Sequence, residues 1–157
     1  MLIKNKKEIE ELKKSGRQLG QILAKLRDFC IVGKSTWEID ELAEKLILKA
    51  GGKPAFKNYQ SGPKDKPFPS TICACINNQI VHAPASKKVF LKDGDIFTID
   101  IGMEKNGLFT DTARTIIIGK AKPEIEKLLQ VTKESLERAI IAVKPGNSVA
   151  DIGRAIE

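Results

Sequence analysis

Apolar residues recur at helical spacing from about Lys6 to Asp28, where Ile9, Leu12, Leu19, Ile22, Leu23 and Leu26 fall near one face. Lys4, Lys6, Lys7, Lys13, Lys14 and Arg17 fill much of the remainder. Glutamates are mixed among them and no aromatic residue is interleaved, which describes a solvated helix face better than a nucleic-acid stripe. A second helix opens at "STWE", where Ser35 and Glu38 have capping-box spacing, and closes at Gly51-Gly52, residues suited to a left-handed C-cap. The periodicity then lapses. The segment "KPAFKNYQSGPKDKPFPS" is rich in proline and reads as a loop, though one carrying Phe56, Tyr59 and Phe68.

From Thr71 to Gly119 the pattern is that of strands. "TICACI" and "QIVHA" flank Asn77-Asn78, a pair able to take the positive φ angles of a two-residue hairpin turn, and this pairing would set Cys73 opposite His82. A second hairpin is predicted about Asn106-Gly107. Its register sets Lys105 against Leu108, Glu104 against Phe109, Met103 against Thr110, Gly102 against Asp111 and Asp100 against Ala113. Paired residues share a face, so Asp100, Gly102 and Glu104 lie with Phe109, Asp111 and Ala113. Ile99, Ile101, Met103 and Leu108 take the opposite face, which suits packing against helices. Asp100 and Asp111 become diagonal neighbours with Cβ atoms about 7 Å apart. A third helix is predicted from about Lys122 to Val143, and Ser148 and Asp151 begin a fourth with capping-box spacing.

Composition narrows the class without deciding the chemistry. With 41% hydrophobic and 30% charged residues among 157, the chain is of globular rather than disordered type and suits a single domain over residues 1–157. No apolar run approaches the length of a membrane span, and "MLIKNKKEIEELKK" lacks a signal-peptide core, so a cytoplasmic protein is expected. Three cysteines favour free thiols over a disulfide framework. The net charge of +7 favours an acidic partner, of which ribosomal RNA is one.

Two carboxylates converging on one covered face would raise one another's proton affinity unless a cation lay between them. Spacing alone leaves two readings open: separate structural roles at a turn and a strand end, or a site for hard divalent ions. Lesser alternatives are a zinc site from Cys73, Cys75 and His82, and a Cys73–His82 nucleophilic dyad.

Three ordered motifs, "FPSTICACINNQIVHAPA", "LKDGDIFTIDIGMEKNGLFTDTART" and "VKPGNSVADIGRAI", give the chain a further resemblance. A histidine is followed by an aspartate 18 residues on and another 11 further. The whole chain from the first helix onward resembles the N-terminal half of the type I methionine aminopeptidases, metallopeptidases of the pita-bread fold. The resemblance implies an α+β fold with antiparallel β-hairpins packed against α-helices, and removal of the N-terminal methionine from nascent polypeptides by two-metal hydrolysis. It implies that Asp100 ligates one metal with both oxygens, that Asp111 bridges two, and that His82 contacts the substrate outside the metal shell. Cys73, Tyr59, Phe56 and Phe68 match positions lining the methionine pocket. The cofactors so implied are two divalent ions, of Co, Mn, Fe or Zn.

The chain also departs from the family pattern. Ala83 follows His82 where glycine is common, and "SGPKDKP" is longer than the shortest family versions. The family completes its metal shell with a histidine and two glutamates from a second half, whereas His82 is the sole histidine here and the fourth helix runs to Glu157 uncapped. The expectation is a fragment, or one partner of a split enzyme whose second chain supplies the C-terminal half, inactive alone. The alternative is a non-catalytic pita-bread protein that binds RNA or the ribosome.

Overall fold

The computed structural model describes residues 5–157 and divides them into two compact units, the first ending at Lys120 and the second covering Ala121–Glu157. In the first unit, helix α1 (Lys6–Phe29) starts at Asn5, whose side chain accepts from the Glu8 amide at 2.9 Å while the Glu8 carboxylate accepts from the Asn5 amide. Leu19, Ile22, Leu23 and Leu26 make its buried stripe, whereas Ile9 lies 40% exposed beyond the core. Helix α2 (Thr36–Lys49) carries the predicted capping box, with the Glu38 carboxylate accepting from the Ser35 amide and hydroxyl at 2.8 Å each. It buries Ile39, Ala43 and Ile47.

The sheet is antiparallel and centres on β3 (Ile96–Lys105). Strands β1 (Lys53–Pro54) and β2 (Ile72–Ile76) pair with β3 along one side, and β4 (Leu108–Ile117) pairs along the other. The short β1 lies inside the stretch expected to be loop throughout. The β3–β4 register is the predicted one at every pair from Lys105–Leu108 to Asp100–Ala113, with Asn106 and Gly107 at φ 55° and 74°. Phe97, Ile99, Ile101 and Met103 are fully buried on the face that forms the core with α1 and α2. Apolar burial of this kind, at about 25 cal/mol per Å², is the main force holding helices to sheet. Lys105 adds a polar tie, its Nζ donating to Gln18 on α1 and to the Ala50 carbonyl at the end of α2.

The first predicted hairpin does not form. Asn77 turns the chain at φ 54°, and the Gln79 amide donates to the Ile76 carbonyl at 3.1 Å. Beyond the turn, residues 79–82 make no strand, and Ile80 and Val81 are exposed. Asn77 is drawn instead to the start of β3: its amide donates to the Ile96 carbonyl at 2.9 Å, and its Oδ1 accepts from the Ile96 amide at 3.0 Å. The returning chain meets the middle of β2 where the Ala74 amide donates to the Ala83 carbonyl and Cys73 opposes Pro84. Proline has no N–H with which to extend that ladder. Cys73 therefore faces Asp100 on β3 and Pro84 on its other side, not His82.

In the second unit, α3 (Pro123–Ala142) opens with proline in its first turn, where the missing N–H costs nothing. Helix α4 (Val149–Ile156) packs against it and is capped as predicted, the Asp151 carboxylate accepting from the Ser148 amide and hydroxyl at 2.7 Å each. Among the described residues no helix is long and apolar enough to cross a membrane.

Candidate metal centre and its pocket

One face of the sheet packs on the helices and the other carries the carboxylates. Asp100 is half-buried on β3, and Asp111 on β4 stands opposite Gly102, two residues along. Burial pushes the Asp100 carboxyl up to about 6, reinforced by the charge of Asp111 and by a hydrogen bond between the two side chains. The nearby His82 opposes that rise. Two carboxyl groups placed this close present oxygen ligands to a divalent cation, which would remove the repulsion.

Cys73 adjoins the pair because β2 sets it directly beside Asp100. Burial pushes its thiol up to about 12, and the Asp100 charge adds to the effect. A thiol held in that state is protonated at neutral pH, the wrong form for a nucleophilic dyad. The zinc alternative fares no better: among the described residues, no three or more His, Cys, Asp or Glu side chains are grouped to hold a metal ion.

A cavity of about 700 Å³ opens over this face. Phe56, Tyr59, Phe68, Cys73, His82, Asp100 and Asp111, the seven positions singled out in the sequence, all line it. His82 adopts a left-handed backbone conformation with φ 61°, uncommon for a residue with a side chain. Phe56 owes its place to Gly102: a Cβ built there would stand 2.6 Å from the ring. The absence of a side chain between the two aspartate positions lets an aromatic ring lie against the sheet beside the carboxylates. The Ala55 amide donates to the Gly102 carbonyl at 3.0 Å and fixes the approach.

Several lining residues escaped the sequence reading. Phe109 belongs to the cavity and is 66% exposed. Its signal was present, since it sits two residues before Asp111 and on the same face. Asp65 and Lys66 line the cavity from the proline-rich loop, where no periodicity marks which side chains turn inward.

Comparison with known proteins gives the fold a context. The description "Metallopeptidase family M24" matches residues 10–157. The methionine aminopeptidase of Aquifex aeolicus is 38% identical over 152 residues, covering 97% of this chain and 59% of the relative. That of Clostridium perfringens is 37% identical over 158 residues, covering 100% and 60%. The crystal structure of methionine aminopeptidase from Thermotoga maritima superposes with a TM-score of 0.92 at 34% identity, over 99% of this chain and 60% of that one. A prolidase from Pyrococcus furiosus gives 0.82 at 25% identity, over 98% and 42%. The chain thus spans about 60% of the length of these methionine aminopeptidases. A match over nearly every residue, on an α+β fold whose carboxylate-bearing hairpin has the register described above, establishes that this chain belongs to metallopeptidase family M24.

Proposed function

We propose that the chain contributes the substrate pocket and two metal-binding carboxylates of a methionine aminopeptidase, which removes the N-terminal methionine from nascent polypeptides. One observation carries this: Asp100, Asp111 and His82 open onto the same cavity as Phe56, Tyr59, Phe68 and Cys73. An apolar, aromatic slot suits a flexible thioether, and carboxylates at its end suit a free α-amino group.

The neighbouring carboxyls of Asp100 and Asp111 fit divalent cations in donor chemistry, though two residues are fewer than a complete shell. Two divalent ions, of Co, Mn, Fe or Zn, would be held with their help and would supply Lewis acidity and an activated water. The chain's own residues do the rest of the work assigned here. The aromatic wall takes up the first side chain and excludes water, and His82, which lines the same cavity, hydrogen-bonds the first peptide group.

The further ligands belong to the portion of the relatives' length that lies outside the match, whether on the same polypeptide or on a second chain. The 157 residues alone are accordingly inactive, the protein is cytoplasmic, and its partners are nascent N-termini. The net charge of +7 supports docking to ribosomal RNA. It equally favours a non-catalytic, RNA-binding relative, against which the aspartate pair and His82 stand intact.

Hydrolysis of a Met-Ala-Ser peptide with added Mn²⁺ tests the proposal, using this chain alone and joined to the remaining family segment. Turnover is expected only in the joined protein and is expected to vanish in Asp111→Ala. A normal rate in that variant would overturn the assignment.

A further inference from the structure

Helix α2 contributes no side chain to the cavity, yet two of its acids reach the segment that forms the cavity wall. Glu44 accepts from Lys57 Nζ through both carboxylate oxygens, at 2.9 and 2.7 Å. Asp40, one turn earlier on the same face, accepts from the Thr71 and Ile72 amides through one oxygen, at 2.8 and 2.9 Å. Asp40 is 3% exposed, so its carboxylate is a fixed internal acceptor rather than a surface group. Lys57 lies between Phe56 and Tyr59, and the Thr71–Ile72 pair lies between Phe68 and Cys73.

The two limbs held in this way are also tied to each other. The Asn58 amide donates to the Phe68 carbonyl at 2.8 Å, and the Phe68 amide donates to the Tyr59 carbonyl at 2.9 Å. Asn58 takes φ 67° to make this clamp. The stretch from 60 to 67 thus projects from a base whose two sides are both anchored on one helix. Without those anchors, a proline-rich segment with few aliphatic residues has little apolar burial to hold it against the sheet.

We propose that Asp40 and Glu44 are positioning residues of the pocket, holding from α2 the two ends of the segment that presents Phe56, Tyr59 and Phe68. The proposal rests on the reading of the cavity as the site for the substrate's first side chain. The acids touch neither the substrate nor a metal in this scheme. They act through Lys57 and the Thr71–Ile72 amides, so their loss should loosen the wall while leaving the Asp100–Asp111 hairpin in place.

Hydrogen exchange of the full chain followed by NMR provides the test, with the β3 amides as internal reference and urea midpoints as a check on global folding. Glu44→Lys and Lys57→Glu are each expected to accelerate exchange at Asn58 and Phe68 at least tenfold relative to β3. The combined charge swap should return both amides to within threefold of wild type. Asp40→Ala should likewise release the Ile72 amide, and Asp40→Asn, which keeps an acceptor oxygen, should not. Glu44→Gln serves in place of Glu44→Lys should the latter fail to fold. Unchanged exchange in the single variants, or a swap that fails to restore protection, would overturn the proposal. Binding of methionine amide, read from the Tyr59 ring signals, should weaken at least threefold in the single variants and recover in the swap. The expected exchange pattern with no binding by the wild-type chain would support the anchoring while refuting the cavity's assignment to that substrate.

Discussion

Replacing Asp100 by asparagine should stabilise the metal-free protein at neutral pH, although it removes a charged side chain from the centre of the candidate site. The folded state raises the Asp100 carboxyl from 3.8 to about 6, chiefly by burial and then through Asp111. The folded chain therefore holds this proton more tightly than the unfolded chain does. Between about pH 4 and pH 6 it binds more protons, and stability must fall as pH rises through that window. A rise from 3.8 to about 6 corresponds to about 3 kcal/mol at full strength. The side chain is only half-buried, and solvent screening reduces the figure to about 1 kcal/mol. Urea unfolding of wild type and Asp100→Asn in the presence of chelator, at pH 3.5 and pH 7.5, isolates this contribution as the difference between the two proteins. That difference should be near zero in acid and should favour the variant by about 1 kcal/mol at pH 7.5. Added Mn²⁺ should reverse the order, because only the wild type keeps both carboxylates. A variant less stable than wild type at pH 7.5, or a difference independent of pH, would refute the assigned cost of ionising Asp100 in its half-buried place beside Asp111.

Other substitutions test individual parts of the structure. Gly102→Ala places a methyl group 2.6 Å from the Phe56 ring and should cost about 1–3 kcal/mol in urea unfolding, with the ring's NMR signals displaced. Gly107→Ala, at φ 74° in the β3–β4 turn, should cost about 1 kcal/mol without altering the register, as judged by cross-strand nuclear Overhauser contacts. Among the described residues Thr71 Oγ1 is buried without a hydrogen-bond partner, so Thr71→Val should leave stability in urea unchanged or raise it by up to about 1 kcal/mol. A marked loss in that variant would mean that the hydroxyl is satisfied in solution.

What could be read from the chain depended on how local the determining interactions were. Asn106-Gly107 dictates its own turn, and the strict alternation of β3 then leaves only one register that buries Ile99, Ile101 and Met103 together. The diagonal placement of Asp100 and Asp111 follows from that register, so the core of the candidate centre was legible. Asn77-Asn78 had equal turn chemistry, but its outcome was decided from a distance. Asn77 bonds Ile96, and Pro84 ends the ladder on the free side of β2. Neither fact belongs to the local pattern. The capping boxes of α2 and α4 were recognised because they span three residues, whereas the one at Asn5 and Glu8 that opens α1 went unread. The anchoring of residues 57 and 71–72 by Glu44 and Asp40 was not recognised, because it spans 13 and 31 residues and leaves no periodic trace. Gly102 was placed on the correct face, but that a ring from the loop would rest on it could be seen only in three dimensions.

The central claim is that Asp100 and Asp111 together receive a divalent cation. Titration of the metal-free chain with Mn²⁺ at pH 7.5, followed by the electron paramagnetic resonance of the free ion, addresses it without requiring catalysis. The wild type should bind, and Asp111→Ala should weaken that binding at least about tenfold, or about 1.4 kcal/mol. Equal binding by the two proteins would contradict the assignment of the hairpin carboxylates as a metal site.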